Sequence, residues 1–213
     1  MTLKKIIDLS HSISEHMTVY PGTGKPEFQS TASIRENGYN ELRFTLTTHT
    51  GTHIDVPYHM IETGKTLDTY DIKKFIGRAL IINCKLKILI DSDTIKNALN
   101  NRQNIDFLLF KTGWDQYWAS KKYFEAYPIL SKDATKLISK LSLQGIGIDA
   151  PSFDPLDSSD LPNHNLLLKS GFILVENLCN MYQIPTDEIL FCCFPLKINK
   201  ADGSPVRAVA IIT

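Results

Sequence analysis

Three of the chain's six histidines and one carboxylate fall within the segment His49-Thr50-Gly51-Thr52-His53-Ile54-Asp55-Val56-Pro57-Tyr58-His59. Imidazole and carboxylate groups are the usual donors to a borderline divalent metal, Zn²⁺ first, with Mn²⁺ or Fe²⁺ as alternatives. A helix would stack His49 and His53 at i, i+4. The β-branched Thr47, Thr48, Thr50 and Thr52, with Gly51 and Pro57, disfavour one. In extended backbone alternate side chains share a face, and His49, His53, Asp55 and His59 all carry odd numbers. Full extension would hold the Cα atoms of His49 and His53 roughly 13 Å apart. Metal bonds of about 2.0–2.1 Å to both rings need a shorter span. Gly51 supplies the bend, and Pro57 turns the chain so that His59 arrives from another direction. The bland alternative is a threonine-rich strand with surface histidines.

Other stretches bear on the same chemistry. Glu176 ends the apolar run Phe172-Ile173-Leu174-Val175, where a carboxylate costs several kcal/mol unless a cation meets it. His164, between Asn163 and Asn165, reads on its own as an exposed loop residue. Pro151 to Pro162 is a loop carrying Asp154, Asp157 and Asp160, with Asp149 at its mouth; turn formation explains most of these, and support of a metal site is the alternative. Tyr20 sits in the turn-rich Tyr20-Pro21-Gly22-Thr23-Gly24, which places it on a lip.

The segment from His49 to His59 resembles the metal-binding signature His-x-Gly-Thr-His-x-Asp-x-Pro-x-His of the cyclase-like metal-dependent hydrolases, whose members include the bacterial kynurenine formamidases. Every fixed position is filled. Further matches are Asp8-Leu9-Ser10, Tyr20-Pro21-Gly22, Thr112-Gly113-Trp114, Gly147 to Asp154 and Ser204 to Val209. The resemblance implies that His49, His53 and Asp55 hold one Zn²⁺, with Mn²⁺ possible. A second ion would go to His164 and Glu176, which have the family's twelve-residue spacing. Asp55 and Glu176 would bridge, and Asp149 and Asp154 are not ligands on the family pattern. It also implies that Tyr20 stands where the formamidases usually carry a Trp that helps form the substrate pocket, with Thr23 in place of an Asp. Family members are dimers or tetramers, so a homodimer or homotetramer is expected.

The elements that must position these groups read as strands broken by a few helices. Strand candidates are Ile6 to Leu9, Phe28 to Ile34, Leu42 to Thr48, Arg78 to Asn83, Ile105 to Phe110, Gly145 to Asp149, Ile189 to Ile198 and Val206 to Ile212. Asp91 or Ser92 caps a helix with the stripe Ile95, Ala98 and Leu99, ending at Asn100-Asn101; Ser131 caps another with Ala134, Leu137, Ile138 and Leu141. His11 and His16 read as ordinary surface groups. Trp114 either closes over a substrate or packs its loop. About seven to nine strands against two or three helices make an α+β or α/β domain on a strongly curved sheet. The resemblance specifies this as the cyclase-like, swivelling β/β/α fold, in one domain spanning 1–213.

Composition limits the alternatives. Net charge is zero and no Lys/Arg run exceeds two residues, so nucleic acid is not the expected partner. No run approaches the eighteen or more apolar residues of a membrane helix, and no signal-like apolar stretch follows Met1-Thr2-Leu3-Lys4-Lys5, so a cytoplasmic location is expected. Four cysteines without a Cys-x-x-Cys indicate neither a disulfide framework nor a zinc ribbon; Cys192 and Cys193 read as buried thiols of a strand. The expected activity is hydrolysis of a small amide, an arylformamide such as N-formylkynurenine first. Water activated by the metal would attack, and His59, beyond the Pro57 turn, would act as general base and then acid. The alternatives are hydrolysis of a lactam or cyclic imide such as isatin, and a metal-dependent cyclase or dehydratase acting on a carbonyl.

Overall fold

The computed structural model describes residues 4–100 and 102–212. Among them the chain forms β1 (Lys5–Asp8), β2 (Glu27–Ala32), α1 (Ile34–Asn37), β3 (Glu41–Thr45), β4 (His53–Asp55), β5 (Ile76–Asn83), β6 (Leu89–Ile90), α2 (Ser92–Leu99), β7 (Phe107–Lys111), β8 (Ile129–Leu130), α3 (Lys132–Ile138), β9 (Gly145–Ile148), α4 (Pro162–Lys169), β10 (Ile173–Glu176), β11 (Glu188–Pro195) and β12 (Gly203–Ile212). Eight strands build one sheet in the order β1-β12-β11-β5-β7-β9-β10-β4. The start of β12 also pairs with β4, so the sheet closes on itself like a barrel. The fold is mixed α+β, with a barrel-like sheet and few helices.

Strands β5, β7, β9 and β10 run parallel, and each step between them carries one helix of α2 to α4. Parallel strands covered in this way are buried on both faces, which explains their nearly continuous apolar sequence. Alternation divides them between two cores. Ala79, Ile81, Phe107, Leu109, Ile173 and Val175 join Ile54 in the core on one face. Leu80, Ile82, Leu108, Phe110, Ile146, Ile148 and Leu174 meet Ile95 of α2, Ala134 and Ile138 of α3, and Leu167 and Leu168 of α4 on the other. Asp91 and Ser131 cap α2 and α3, accepting from the amides of Thr94 and Ala134 at 2.7 and 3.1 Å.

The described residues hold twelve strands and four α-helices, more than the pattern predicts. The surplus is short: β6 and β8 have two residues each, β4 three, and α1 is a single turn of four, too brief to leave a period. The strand expected to run to Thr48 stops at Thr45, because residues 46–52 leave the hairpin to reach the barrel. Of the expected Asn100-Asn101 helix end, Asn101 lies outside the described residues. All four cysteines are free and buried. No helix among the described residues is long and apolar enough to cross a membrane.

Ile54 is the middle residue of β4 and is fully buried in the first core. Ile54→Ala is expected to lower stability by about 2–5 kcal/mol, read by urea denaturation with an unchanged m-value. A loss below about 1 kcal/mol would mean that β4 is not anchored by its core-facing side chain.

Candidate metal centre

Backbone register assembles most of the site. In β4, Ile54 takes the core face, so His53 and Asp55 point to the opposite one. The antiparallel pairing of β4 with β10 sets Leu174 opposite Asp55 and Glu176 opposite His53. Leu174 belongs to the helix-covered core, so Glu176, two residues on, shares its face with His53 and Asp55. Helix α4 packs over this face with Leu167 and Leu168 and brings in His164, which is 3% exposed. The exposed-loop expectation for His164 is therefore corrected. Its helix opens with Pro162 at the first turn, where the lost N–H costs nothing, and Asp154 accepts from the amides of Asn163 and His164 at 2.9 Å each. His49 lies outside the strand. Gly51, at φ +65°, makes the bend that returns it towards Asp55. His59 closes the single 3₁₀ turn Pro57–His59.

The side chains converge on Asp55. Its Oδ1 lies 2.6 Å from His49 Nδ1 and 3.4 Å from His53 Nε2, and its Oδ2 lies 3.6 Å from His164 Nε2. Glu176 stands 3.6 Å from His53 Nε2 and 3.1 Å from His164 Nε2. Among the described residues two groups have donor atoms within 4.8 Å of one another: His49, Asp55 and His59, and His53, Asp55 and Glu176. Each histidine spends its other nitrogen on an outer acceptor. His53 Nδ1 donates to the Gly51 carbonyl at 2.8 Å and His164 Nδ1 to Asp154 Oδ2 at 2.7 Å. His49 Nε2 and His59 Nδ1 reach Asp202 Oδ2 at 2.8 and 3.2 Å. Such outer bonds fix ring orientation and leave the inward nitrogen as the donor.

The electrostatics reflect crowded acids. Burial pulls the His49 pKa down, but the charge of Asp55 and the bonds to Asp202 and Asp55 outweigh it and raise it to about 10. Burial also opposes charge on His164, yet Glu176, Asp154 and Asp55 hold its pKa well above the ordinary value. For His53 burial wins and the pKa falls. Burial would raise Asp55, but the charges of His49 and His53 and bonds from His164 and His49 hold its carboxyl well below the usual range. Hydrogen bonds from His49 and His59 hold Asp202 low. The buried acids thus favour positive charge on the rings of His49 and His164, the kind of charge that a cation would supply directly.

A cavity opens from this cluster, lined by His49, His53, Asp55, His59, His164 and Glu176 at one end and by Thr18, Tyr20, Trp118, Phe124, Leu161 and Asn177 among its walls. Tyr20 meets Phe124 edge-on with ring centres 5.9 Å apart. Trp114 packs its loop, its indole N–H donating to the Tyr123 carbonyl at 2.9 Å. The wall belongs to Trp118, four residues on. His11 is not a surface group. It stacks on Trp118 at 3.8 Å, and burial lowers its pKa to about 4, so it lies there as a neutral ring. His16 is exposed. Asp149 lies away from the cavity, accepting from the amides of Thr112 and Gly113 to tie the ends of β7 and β9. Asp157 and Asp160 are exposed turn residues.

The Cyclase family model, described as "Putative cyclase", matches residues 7–155, which include the whole His49 to His59 segment. The chain belongs to the cyclase family. Among curated relatives of this cyclase-family chain, a kynurenine formamidase of Geobacillus thermodenitrificans is 35% identical, covering 95% of each chain. A solved structure described as a "predicted metal-dependent hydrolase" from Bacillus stearothermophilus is 28% identical with a TM-score of 0.81, covering 97% of this chain and 98% of its own. An isatin hydrolase bound to thioisatinate shares the fold, with a TM-score of 0.87 at 22% identity over 98% of this chain and 92% of its own.

Whether a divalent cation fits this cyclase-family site is decided by Glu176. The residue is 5% exposed, and its Oε1 is buried without a hydrogen-bond partner; the nearby His164 Nε2, at 3.1 Å, is not aligned to supply one. A buried charged oxygen left unpaired costs several kcal/mol. A cation among His53, Asp55, His164 and Glu176 removes that cost, and the mixed nitrogen and oxygen donor set suits a borderline metal. Among the wall and support residues that escape the sequence, Asp202 reads only as half of an Asp-Gly turn, and Trp118 is masked by Trp114. Because Asp154 both caps α4 and orients His164, Asp154→Asn is expected to weaken Zn²⁺ affinity about 10–100-fold, read by competition with a chromogenic chelator. Unchanged affinity would remove Asp154 from the support of the site.

Proposed function

We propose that the chain is a metal-dependent amidohydrolase acting on a small arylformamide such as N-formylkynurenine, with Zn²⁺ as its ion and Mn²⁺ as the substitute. The observation that carries this is the convergence of inward-facing imidazoles on two buried carboxylates at the end of an aromatic-walled cavity. His49, His53 and Asp55 would hold one ion, and His164 and Glu176 a second. The two oxygens of Asp55, facing His49 and His53 on one side and His164 on the other, support a bridging role. A divalent cation bound there supplies Lewis acidity to an amide carbonyl and makes a water nucleophile available at neutral pH.

The chain's own groups do the rest. His59 is half-buried at the cavity, its Nδ1 turned to Asp202, which leaves Nε2 to take a proton from the attacking water. When the C–N bond breaks, the same atom returns that proton to the departing amine. Tyr20, Trp118 and Phe124 offer faces and edges to an aromatic ring. Tyr20 in place of the family's Trp gives a smaller face with a hydroxyl tip, which bears on the choice of aromatic substrate. A lactam or cyclic imide would use the same groups, its amine leaving group remaining tethered; the fold shared with isatin hydrolase keeps this as the second reading. Assembly as a homodimer or homotetramer is supported by the β2–β3 hairpin, a pair of strands outside the barrel that exposes Leu42, Phe44, Ile34 and Tyr39.

The test is turnover by the zinc-loaded chain of N-formylkynurenine, isatin and simple aryl amides, beside the variant His59→Ala. The formamide is expected to be the best substrate, and His59→Ala to retain its metal while kcat falls about 10²–10⁴-fold. If His59→Ala loses metal as severely as His53→Ala, His59 is a ligand and another group moves the proton. Turnover of none of these substrates would sink the hydrolase reading.

A further inference from the structure

One carboxylate oxygen serves two histidines at this centre. His53 and His164 each have an outer acceptor of their own, Gly51 and Asp154. His49 Nε2 and His59 Nδ1 instead share Asp202 Oδ2, at 2.8 and 3.2 Å, and their rings lie 4.0 Å apart. The main chain that carries this carboxylate is tied to the barrel seam. The Asp202 carbonyl accepts from the amide of Val56 at 3.0 Å, and the next residue, Gly203, pairs with Asp55 in the barrel seam. A side chain at Gly203 would come within 2.5 Å of the Ile54 carbonyl and 3.0 Å of His49 Cε1, so only glycine allows this approach. Asp202 keeps one third of its side chain in water, so ionisation there carries little desolvation cost.

We propose that Asp202 is a positioning residue that fixes the tautomers of His49 and His59 together. An ionised carboxylate can only accept, so each ring nitrogen that faces it must carry the hydrogen. For His59 that places N–H at Nδ1 and the lone pair at Nε2, the atom needed to take a proton. For His49 it places N–H at Nε2 and turns Nδ1 towards Asp55, where a cation takes the place of the second proton. Asp202 thereby couples metal holding to proton transfer, whereas Asp154 supports metal holding alone. The roles given to His49 and His59 rest on the proposed hydrolase reading; the tautomers themselves do not.

The experiment uses the zinc-loaded full chain with ¹⁵N-labelled histidine rings, whose long-range ¹H–¹⁵N spectra report which nitrogen carries hydrogen. In the wild type His59 is expected as the Nδ1–H form and His49 as Nε2–H with Nδ1 on zinc. Asp202→Asn is expected to convert His59 to a tautomer mixture, to weaken zinc binding about 10–100-fold, and to lower kcat on the best substrate by a similar factor with KM nearly unchanged. A wild-type His59 protonated at Nε2 overturns the proposal, and this spectrum needs no variant to fold. An Asp202→Asn protein with unaltered tautomers and zinc affinity overturns it equally. Spectra and zinc titration need no substrate, so absence of formamide turnover would count against the hydrolase reading and leave this assignment standing.

Discussion

Two carboxylates, Asp55 and Glu176, are held out of water side by side at the seam of the barrel, at 1% and 5% exposure. Such a pair repels itself and lacks the hydration that would stabilise it, and the rest of the site is arranged around this cost. Four imidazoles approach, and each uses its outer nitrogen on Gly51, Asp154 or Asp202. Their remaining nitrogens are left to meet positive charge. The acids raise the pKa of His49 and His164, yet one oxygen of Glu176 stays without a partner. On the proposed reading, divalent cations complete the neutralisation and turn a stability problem into the source of the chemistry.

The backbone makes this arrangement unavoidable once the barrel closes. Three residues of β4 pair with β10 on one side and with β12 on the other, so the strand cannot slip without turning Ile54 out of its core. The same register that buries Ile54 sets His53, Asp55 and Glu176 on one face. Gly51, in the bend before β4, serves this seam by its positive φ, and Gly203, at the start of β12, by its close approach to Ile54 and His49. Helix α4 then lays its apolar residues on Leu174, and the packing that stabilises it also delivers His164.

What could be read from sequence was whatever is local. The His49 to His59 segment was legible because its donors, bend and turn lie within one short stretch, and Glu176 because a charge at the end of an apolar run violates the pattern of a buried strand. His164 was legible only through the family resemblance, whose twelve-residue spacing to Glu176 it matches, since the helix that buries it begins with a proline and lacks the capping side chain at its start that marks α2 and α3. Asp202 left no mark: an Asp-Gly step is explained by its turn, and its contacts to His49 and His59 span 153 and 143 residues. Trp118 and His11 failed for the same reason, because their stack joins two loops with no shared period. Helices α2 and α3 were predicted from capping residues and stripe, while β6 and β8 were too short to show any alternation.

The central claim is that Asp55 and Glu176 share their burial with divalent cations, and anomalous diffraction at the zinc absorption edge from crystals of the zinc-loaded protein tests it most directly. The account predicts a peak bonded to His49, His53 and Asp55 and a second bonded to Asp55, His164 and Glu176, with bond lengths of about 2.0–2.2 Å. Zinc found only at other residues, with Asp55 and Glu176 taking no part in its coordination, would contradict it.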